Sequence, residues 1–363
     1  MGKCFFIKYN SRNISAVKNQ YIVGNGWKRN FCMVINNRFA KDTVIVLGKD
    51  ALCFDNSILH VGYGIDKNFE RPLYASIASV AKNTKNKVVF HVFCNAVSSL
   101  KKDMAVFCDN LNITICLHEI DIDQFHGWAT DGWTSAIYQR LVMAPVISKY
   151  SDVFLYLDAD VICQIDVMNL FEKNIANVIV AAVKDPDQTN RMIGFNDDFS
   201  DIYFNSGVLL INAKEWNKEN ITEKICALLS KSSHEFKAYD QDALNVVLRN
   251  KVLFLDKRYN FPADTNSHPF IRTLVEDASF ITPFIIHYMG KEKPWILGVD
   301  SKKDADIYLS YEKLTPYKDK PLQLPSTRRE IKNCAKYMTV KLKPLLAAYW
   351  WLRYLCKKAC GSK

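Results

Sequence analysis

Short apolar runs recur along this chain, separated by stretches of helical period. Ile58–Tyr63 (ILHVGY), Lys87–Phe93 (KVVFHVF), Asn112–Leu117 (NITICL), Val153–Leu157 (VFLYL) and Val178–Val183 (VIVAAV) read as buried strands. Between the first two, Leu73, Ile77, Val80 and Ala81 share one face of a predicted helix over Pro72–Lys82. Leu100–Asn110 and Trp133–Ile147 also predict helices. Strands that alternate with helices imply βαβ units around a mainly parallel sheet, so the fold class is α/β. Beyond Val183 the pattern is mixed. Phe204–Asn212 and Ile285–Tyr288 predict strands, and Thr222–Ser230 and Asp240–Leu248 predict helices. Residues 1–56 hold short β-rich runs such as Asp42–Leu47 between turn residues, and read as an N-terminal extension of one or two strands or hairpins.

The last segment has a different character. From Ile331, apolar or small residues recur at 331, 335, 338, 342, 345, 349, 352 and 356, the spacing of one amphipathic helix kinked at Pro344. The formal net charge of +10 falls entirely within residues 301–363, and the first 300 residues are balanced. Lys341–Tyr354 combines basic residues, an apolar stripe and aromatics, which suits a helix lying in a membrane interface. The plainer alternative packs the stripe on the main domain with the lysines in water. Nucleic acid is a poorer partner, because no recognition fold accompanies the basic stretch. These shifts divide the chain into an extension (1–56), a main domain (57–300) and a basic, aromatic, membrane-associating tail (301–363). The 11 cysteines are scattered, and no apolar leader or run of ~20 apolar residues stands out. A cytoplasmic protein, peripheral on the cytoplasmic face of the inner membrane, is the expectation.

The chemistry concentrates at element ends. Val153–Leu157 delivers Asp158 and Asp160 to the carboxyl end of the sheet, where open α/β sheets bind ligands. Two carboxylates there suit Mg²⁺ or Mn²⁺. A solvated Asp-x-Asp turn is the bland reading. A phosphohydrolase that forms an aspartyl-phosphate on Asp158 is the rival chemistry, although Ile162 and the late position of the motif fit it poorly. Asp240-Gln241-Asp242 opens a helix, where helix capping explains one Asp but not the triplet. His287 ends a strand as a candidate metal ligand, and is followed by Gly290 and Lys293, which suit a phosphate. Asn205 lies in a polar interruption of an apolar strand, either a bulge or a sugar contact. Arg140 sits on an otherwise apolar helix, as a surface cation or a buried bridge between acids.

The ordered motifs HVGYGIDKNF, SAIYQRL, LYLDADVIC, FNSGVLLIN, DQDALN and HYMGKEKPW resemble those of the retaining glycosyltransferase family 8, over roughly residues 57–320. Within it the chain looks most like bacterial glucosyl- and galactosyltransferases of the lipopolysaccharide core. The resemblance implies a GT-A fold, a Rossmann-like sheet joined to an acceptor-side half. It implies one Mn²⁺ or Mg²⁺ on Asp158, Asp160 and His287. Gly64, Asp66 and Asn68 would line the nucleoside pocket, and Gly290 and Lys293 would hold the diphosphate. Arg140, Asp185, Asn205, Asp240 and Gln241 would surround the donor sugar. The implied donor is UDP-glucose or UDP-galactose, and the implied acceptor is the lipopolysaccharide core or another cell-surface glycan. For retention, front-face attack is preferred over a covalent intermediate; Gln241 is a poor nucleophile, and Asp240 a better one by charge. Gly64 stands where many relatives carry Ala, and Pro186–Asp201, expected to face the acceptor, matches no family motif.

Overall fold

The computed structural model describes residues 31–34, 40, 43–48, 57–95, 97–130, 133–186, 203–263, 281–299 and 303–360. A nine-stranded sheet is its centre. The strands are β1 (Phe31–Val34), β2 (Thr43–Leu47), β3 (Leu59–Gly64), β4 (Val88–Cys94), β5 (Thr114–Glu119), β6 (Val153–Leu157), β8 (Val180–Lys184), β9 (Phe204–Asn212) and β10 (Val252–Phe254). Their order is β1-β2-β5-β4-β3-β6-β9-β8-β10. The central strands β5, β4, β3 and β6 run parallel. Antiparallel pairing begins on either side, at β2–β5 and at β6–β9. From β3 the chain winds out to β5 and then returns to β6, so the winding reverses between β3 and β6. Crevices at such reversals are where open sheets bind ligands.

Alternation along each strand feeds a core on both faces of the sheet. On β6, Leu155 and Leu157 enter the cluster of Leu73, Ile77, Phe90 and Val92. Phe154 and Tyr156 enter the opposite one, with Met143, Leu209, Trp216 and Leu244. Helices α1 (Glu70–Asn83) and α2 (Val97–Leu111) cross between β3, β4 and β5, as the pattern predicts. The structure adds the short strand β7 (Val161–Cys163) directly after Asp160. It pairs with β12 (Ile285–His287), which also pairs with β11 (Phe261–Pro262), in a second small sheet. The register sets His287 opposite Val161. Pairing with β7 therefore brings a residue distant in sequence beside the Asp-x-Asp turn.

Two sequence expectations change. The helix predicted over Trp133–Ile147 is a 3₁₀ segment at Ser135–Val142 followed by the short α3 (Met143–Ile147). Pro145 cannot donate to the carbonyl four residues back, at Leu141, and that oxygen accepts from the Thr222 hydroxyl at 2.7 Å instead. The tail is not one kinked helix either. After α8 (Lys303–Glu312), helices α9 (Arg328–Val340) and α10 (Pro344–Ala359) pack against each other as a hairpin. Leu342 makes the turn in a left-handed conformation (φ 52°), and Pro344 opens α10 at a position where no intrahelical N–H is needed. The apolar stripe breaks there. Ile331, Ala335 and Met338 are buried with Ala347 and Trp350, and Leu342 and Leu345 face outward. Residues 1–30 and 187–202, the second covering most of the presumed acceptor-facing segment, lie outside the described residues.

Candidate active site

The end of β6 carries the centre of the site. Asp158, Asp160 and His287 offer ligand atoms that all lie within 4.8 Å of one another. His287 Nε2 is 3.3 Å from Asp160 Oδ1 and 3.7 Å from Asp158 Oδ2. The other imidazole nitrogen, Nδ1, is 2.8 Å from Asn260 Oδ1. A carboxamide oxygen only accepts, so Nδ1 carries a proton and Nε2 is the nitrogen turned to the carboxylates. A cation taken at Nε2 would find the ring already oriented by an outer partner at Nδ1. Gly207 makes the approach sterically feasible. A Cβ there would sit 2.3 Å from His287 Cε1 and 2.9 Å from Asp158 Oδ2. Two acids, a tautomer-fixed imidazole and a glycine that clears their meeting point fit a divalent cation.

Basic groups bracket the acids. Arg140 Nη2 lies 2.9 Å from Asp158 Oδ1, and its Nε lies 3.0 Å from Asp240 Oδ2. Its Nη1 donates to the Ser206 carbonyl at 2.7 Å, and its guanidinium stands 4.7 Å from the centre of the Tyr156 ring. Arg140 is thus the buried bridge between acids, not a surface cation. Burial works against its charge, but the neighbouring carboxylates, Asp158 first, raise its pKa further above the ordinary value. Burial pushes the Asp240 carboxyl up to about 6, against the pull of Arg140. Lys293 Nζ donates to Asp160 Oδ2 at 2.6 Å and to the Tyr288 carbonyl at 2.8 Å. Burial opposes the charge on Asp160, yet Lys293 and His287 hold its carboxyl below the usual range.

A connected amide and carboxylate network extends from there. Asn205 Oδ1 accepts from Asn260 Nδ2 at 2.8 Å and from the Gly207 N–H at 2.9 Å. Asn205 Nδ2 and Gln241 Nε2 donate to Asp185 Oδ2 at 3.0 and 2.8 Å. Gln241 Oε1 accepts from the Ser206 N–H at 2.9 Å. The acidic triplet divides its work. Asp242 accepts from the Lys237 and Ala238 N–H groups at the start of α7 (Tyr239–Val247) and from the Tyr203 hydroxyl. It serves as the cap, which leaves Asp240 and Gln241 to the site. Asp66 and Asn68 form a separate group at the end of β3, where Asp66 accepts from the Asn68 N–H at 2.8 Å and the Thr134 hydroxyl at 2.6 Å. Gly64 ends β3 beside Gln139, whose Oε1 would lie 3.1 Å from an added Cβ. Gly290 turns at φ 79° between His287 and Lys293, which favours glycine.

The family 8 glycosyl transferase profile matches residues 60–296, most of this architecture. The chain belongs to glycosyl transferase family 8. The family's C-terminal profile matches residues 305–358, which include the helical hairpin. The lipopolysaccharide 1,2-glucosyltransferase of Escherichia coli K12 is 28% identical over 83% of this chain and 91% of its own length. The lipopolysaccharide 1,3-galactosyltransferase of Salmonella typhimurium is 30% identical over 78% of this chain and 86% of its own. Among solved structures, the galactosyltransferase LgtC in complex with donor and acceptor sugar analogues superposes with a TM-score of 0.59. It is 20% identical and covers 71% of this chain and 96% of its own. These likenesses identify the fold as GT-A, and family membership makes the chain a glycosyltransferase rather than a phosphohydrolase.

Asn260, Gly207, Ser206, Tyr203 and Tyr156, whose hydroxyl donates to Asp158, are site residues that sequence reasoning did not single out. Ser206 and Gly207 stood inside the FNSG interruption, which was the available signal. Asn260 ends a short 3₁₀ segment, Lys257–Asn260, just before β11, with no periodicity to mark it.

Proposed function

We propose that this glycosyltransferase moves glucose or galactose from its UDP-sugar to a lipopolysaccharide core, with retention and with one Mn²⁺ or Mg²⁺. The observation that carries this reading is the convergence of Asp158, Asp160 and the Asn260-oriented His287 at the end of β6. The relatives' names, lipopolysaccharide glucosyl- and galactosyltransferases, support the transferred sugar and the acceptor class.

A cation held by Asp158, Asp160 and His287 supplies positive charge for the diphosphate leaving group. Lys293 adds a second charge beside Asp160, and Gly290 allows a phosphate close to the main chain. Gly64, Asp66 and Asn68 take the nucleoside. Arg140 holds Asp158 and Asp240 in fixed positions, so their charges need no rearrangement as the glycosidic bond weakens. Asp185, Asn205 and Gln241 present a rigid set of donors and acceptors to the sugar hydroxyls. Both ends of the Gln241 carboxamide are already hydrogen-bonded, which suits a positioned dipole and not a nucleophile. The acceptor oxygen then attacks the anomeric carbon on the face that UDP leaves. The bond from that carbon to the diphosphate oxygen breaks, and the acceptor proton passes to the departing phosphate. The hairpin of the tail rests on the membrane.

The test is UDP release from UDP-glucose and UDP-galactose with Mn²⁺ and a core oligosaccharide acceptor, with the product linkage read by NMR. An α-linked product from one donor is expected. No UDP release from any hexose donor, or a β-linked product, contradicts the proposal.

A further inference from the structure

The turn that follows His287 carries two charged residues side by side, Glu292 and Lys293. Lys293 reaches Asp160, and Glu292 points to another element. Glu292 is only 8% exposed. A carboxylate so placed is costly unless it is paired and hydrogen-bonded. Its Oε1 accepts from Asn333 Nδ2 at 2.8 Å and from Arg329 Nη2 at 3.2 Å. Arg329 and Asn333 stand one turn apart on the same face of α9.

Further attachments follow downstream. Leu297 packs on the buried cluster of Ile331, Cys334, Ala335 and Met338. At Gly298 (φ 103°) a Cβ would lie 2.7 Å from the Cys334 Cα, so main chain meets main chain on α9. The Leu297 N–H donates to the Gln323 carbonyl at 2.9 Å, and the Gln323 N–H to the Trp295 carbonyl at 2.8 Å. The segment from Glu292 to Gly298 is therefore fastened along its length to α9 and to the chain just ahead of it.

We infer that Glu292, gripped by Arg329 and Asn333, is a positioning residue that sets Lys293 for the donor diphosphate, and that the C-terminal hairpin thereby holds the donor site in shape. The inference rests on the reading of Lys293 as a diphosphate contact. A lysine is a point charge on a flexible stem, so its aim depends on the backbone that carries it. Anchoring the preceding residue removes backbone freedom before the nucleotide arrives, and preorganised charge binds and stabilises better than charge that must be gathered.

The experiment is isothermal titration of UDP into the full chain with saturating Mn²⁺, in the wild type, Lys293→Ala, Arg329→Ala and the double variant. UMP, which lacks the second phosphate, serves as the control ligand. Arg329→Ala is expected to weaken UDP about tenfold, the size of a displaced charged contact, and to leave UMP nearly unchanged. In the Lys293→Ala background the same change should add little, because coupled residues are not additive. Arg329→Lys and Asn333→Ala should fall between, and they serve if Arg329→Ala does not fold. Equal losses for UDP and UMP, or additive losses in the double variant, would mean a merely structural role and overturn the inference. If Lys293→Ala itself leaves UDP affinity intact, the diphosphate reading fails, and the positioning inference fails with it. Loss with Lys293→Ala but none with Arg329→Ala sinks the positioning role alone.

Discussion

At the residue scale the site depends on close approach. Gly207 lies where a single methyl group would collide with His287 and Asp158. Gly207→Ala is expected to lower Mn²⁺ affinity and transfer by about 100-fold, the upper range for disturbing a ligand's support, with the melting temperature lowered by only a few degrees. Binding equal to wild type would remove this glycine from the account. Asn260→Ala deletes the acceptor that fixes the His287 tautomer. A loss of about tenfold in Mn²⁺ affinity is expected, measured by electron paramagnetic resonance of free Mn²⁺. The sequence announced the carboxylates because an apolar strand ended in them, and His287 because a Gly and a Lys followed it. It could not announce Asn260, since a lone asparagine ending a one-turn 3₁₀ segment has the same pattern whether it orients a ligand or caps a turn. Nor could it separate Asp242 from Asp240 and Gln241, because only the packing of α7 shows which carboxylate turns back to cap the helix.

At the scale of elements, the parallel centre of the sheet carries a buried row of imidazoles. His60 Nδ1 is 2.9 Å from His91 Nε2, and His91 Nδ1 is 2.9 Å from His118 Nε2, across β3, β4 and β5. The rings stack, with Tyr150 against His60 and His91. Burial lowers the pKa of all three, to about 4 for His60 and about 3 for His118. The unfolded chain takes up protons near pH 6.5, and the folded chain resists until well below that. Stability is therefore full above pH 6.5 and falls as the pH drops toward about 4. A melting temperature several degrees lower at pH 5 than at pH 7.5 is expected by circular dichroism; an equal or higher value at pH 5 would contradict this. The main strands and α1 were legible because their runs are long. The short β7 and β10 were not, since three residues cannot display an alternation. The tail misled for a different reason. Its four-three spacing runs unbroken through Pro344, and only the reversal at Leu342 divides it.

At the scale of the molecule, the charge excess and the exposed apolar residues coincide. Leu342 and Leu345 are 87% and 86% exposed, and Leu352, Leu355 and Tyr349 are also exposed on α10. Lys341, Lys343, Arg353, Lys357 and Lys358 stand among them. No helix among the described residues is long and apolar enough to cross a membrane. An interfacial contact suits this combination, with each basic residue near an anionic leaflet adding about 1 kcal/mol. The chain is expected to sediment with vesicles containing anionic phospholipid, less so as salt is raised. The pair Leu345→Glu and Leu352→Glu should release it while UDP binding stays unchanged. Sedimentation equal to wild type in that variant would exclude the hairpin as the contact.

On the proposed function, Asp158, Asp160 and His287 share one cation that sugar transfer needs. Titration of Mn²⁺ into the wild type and Asp160→Ala, followed by electron paramagnetic resonance and paired with UDP release from the same samples, tests it most directly. One bound ion per wild-type chain is expected, with loss of both binding and UDP release in an Asp160→Ala variant that keeps its circular dichroism spectrum. A folded Asp160→Ala protein that binds Mn²⁺ and turns over donor like the wild type would contradict it.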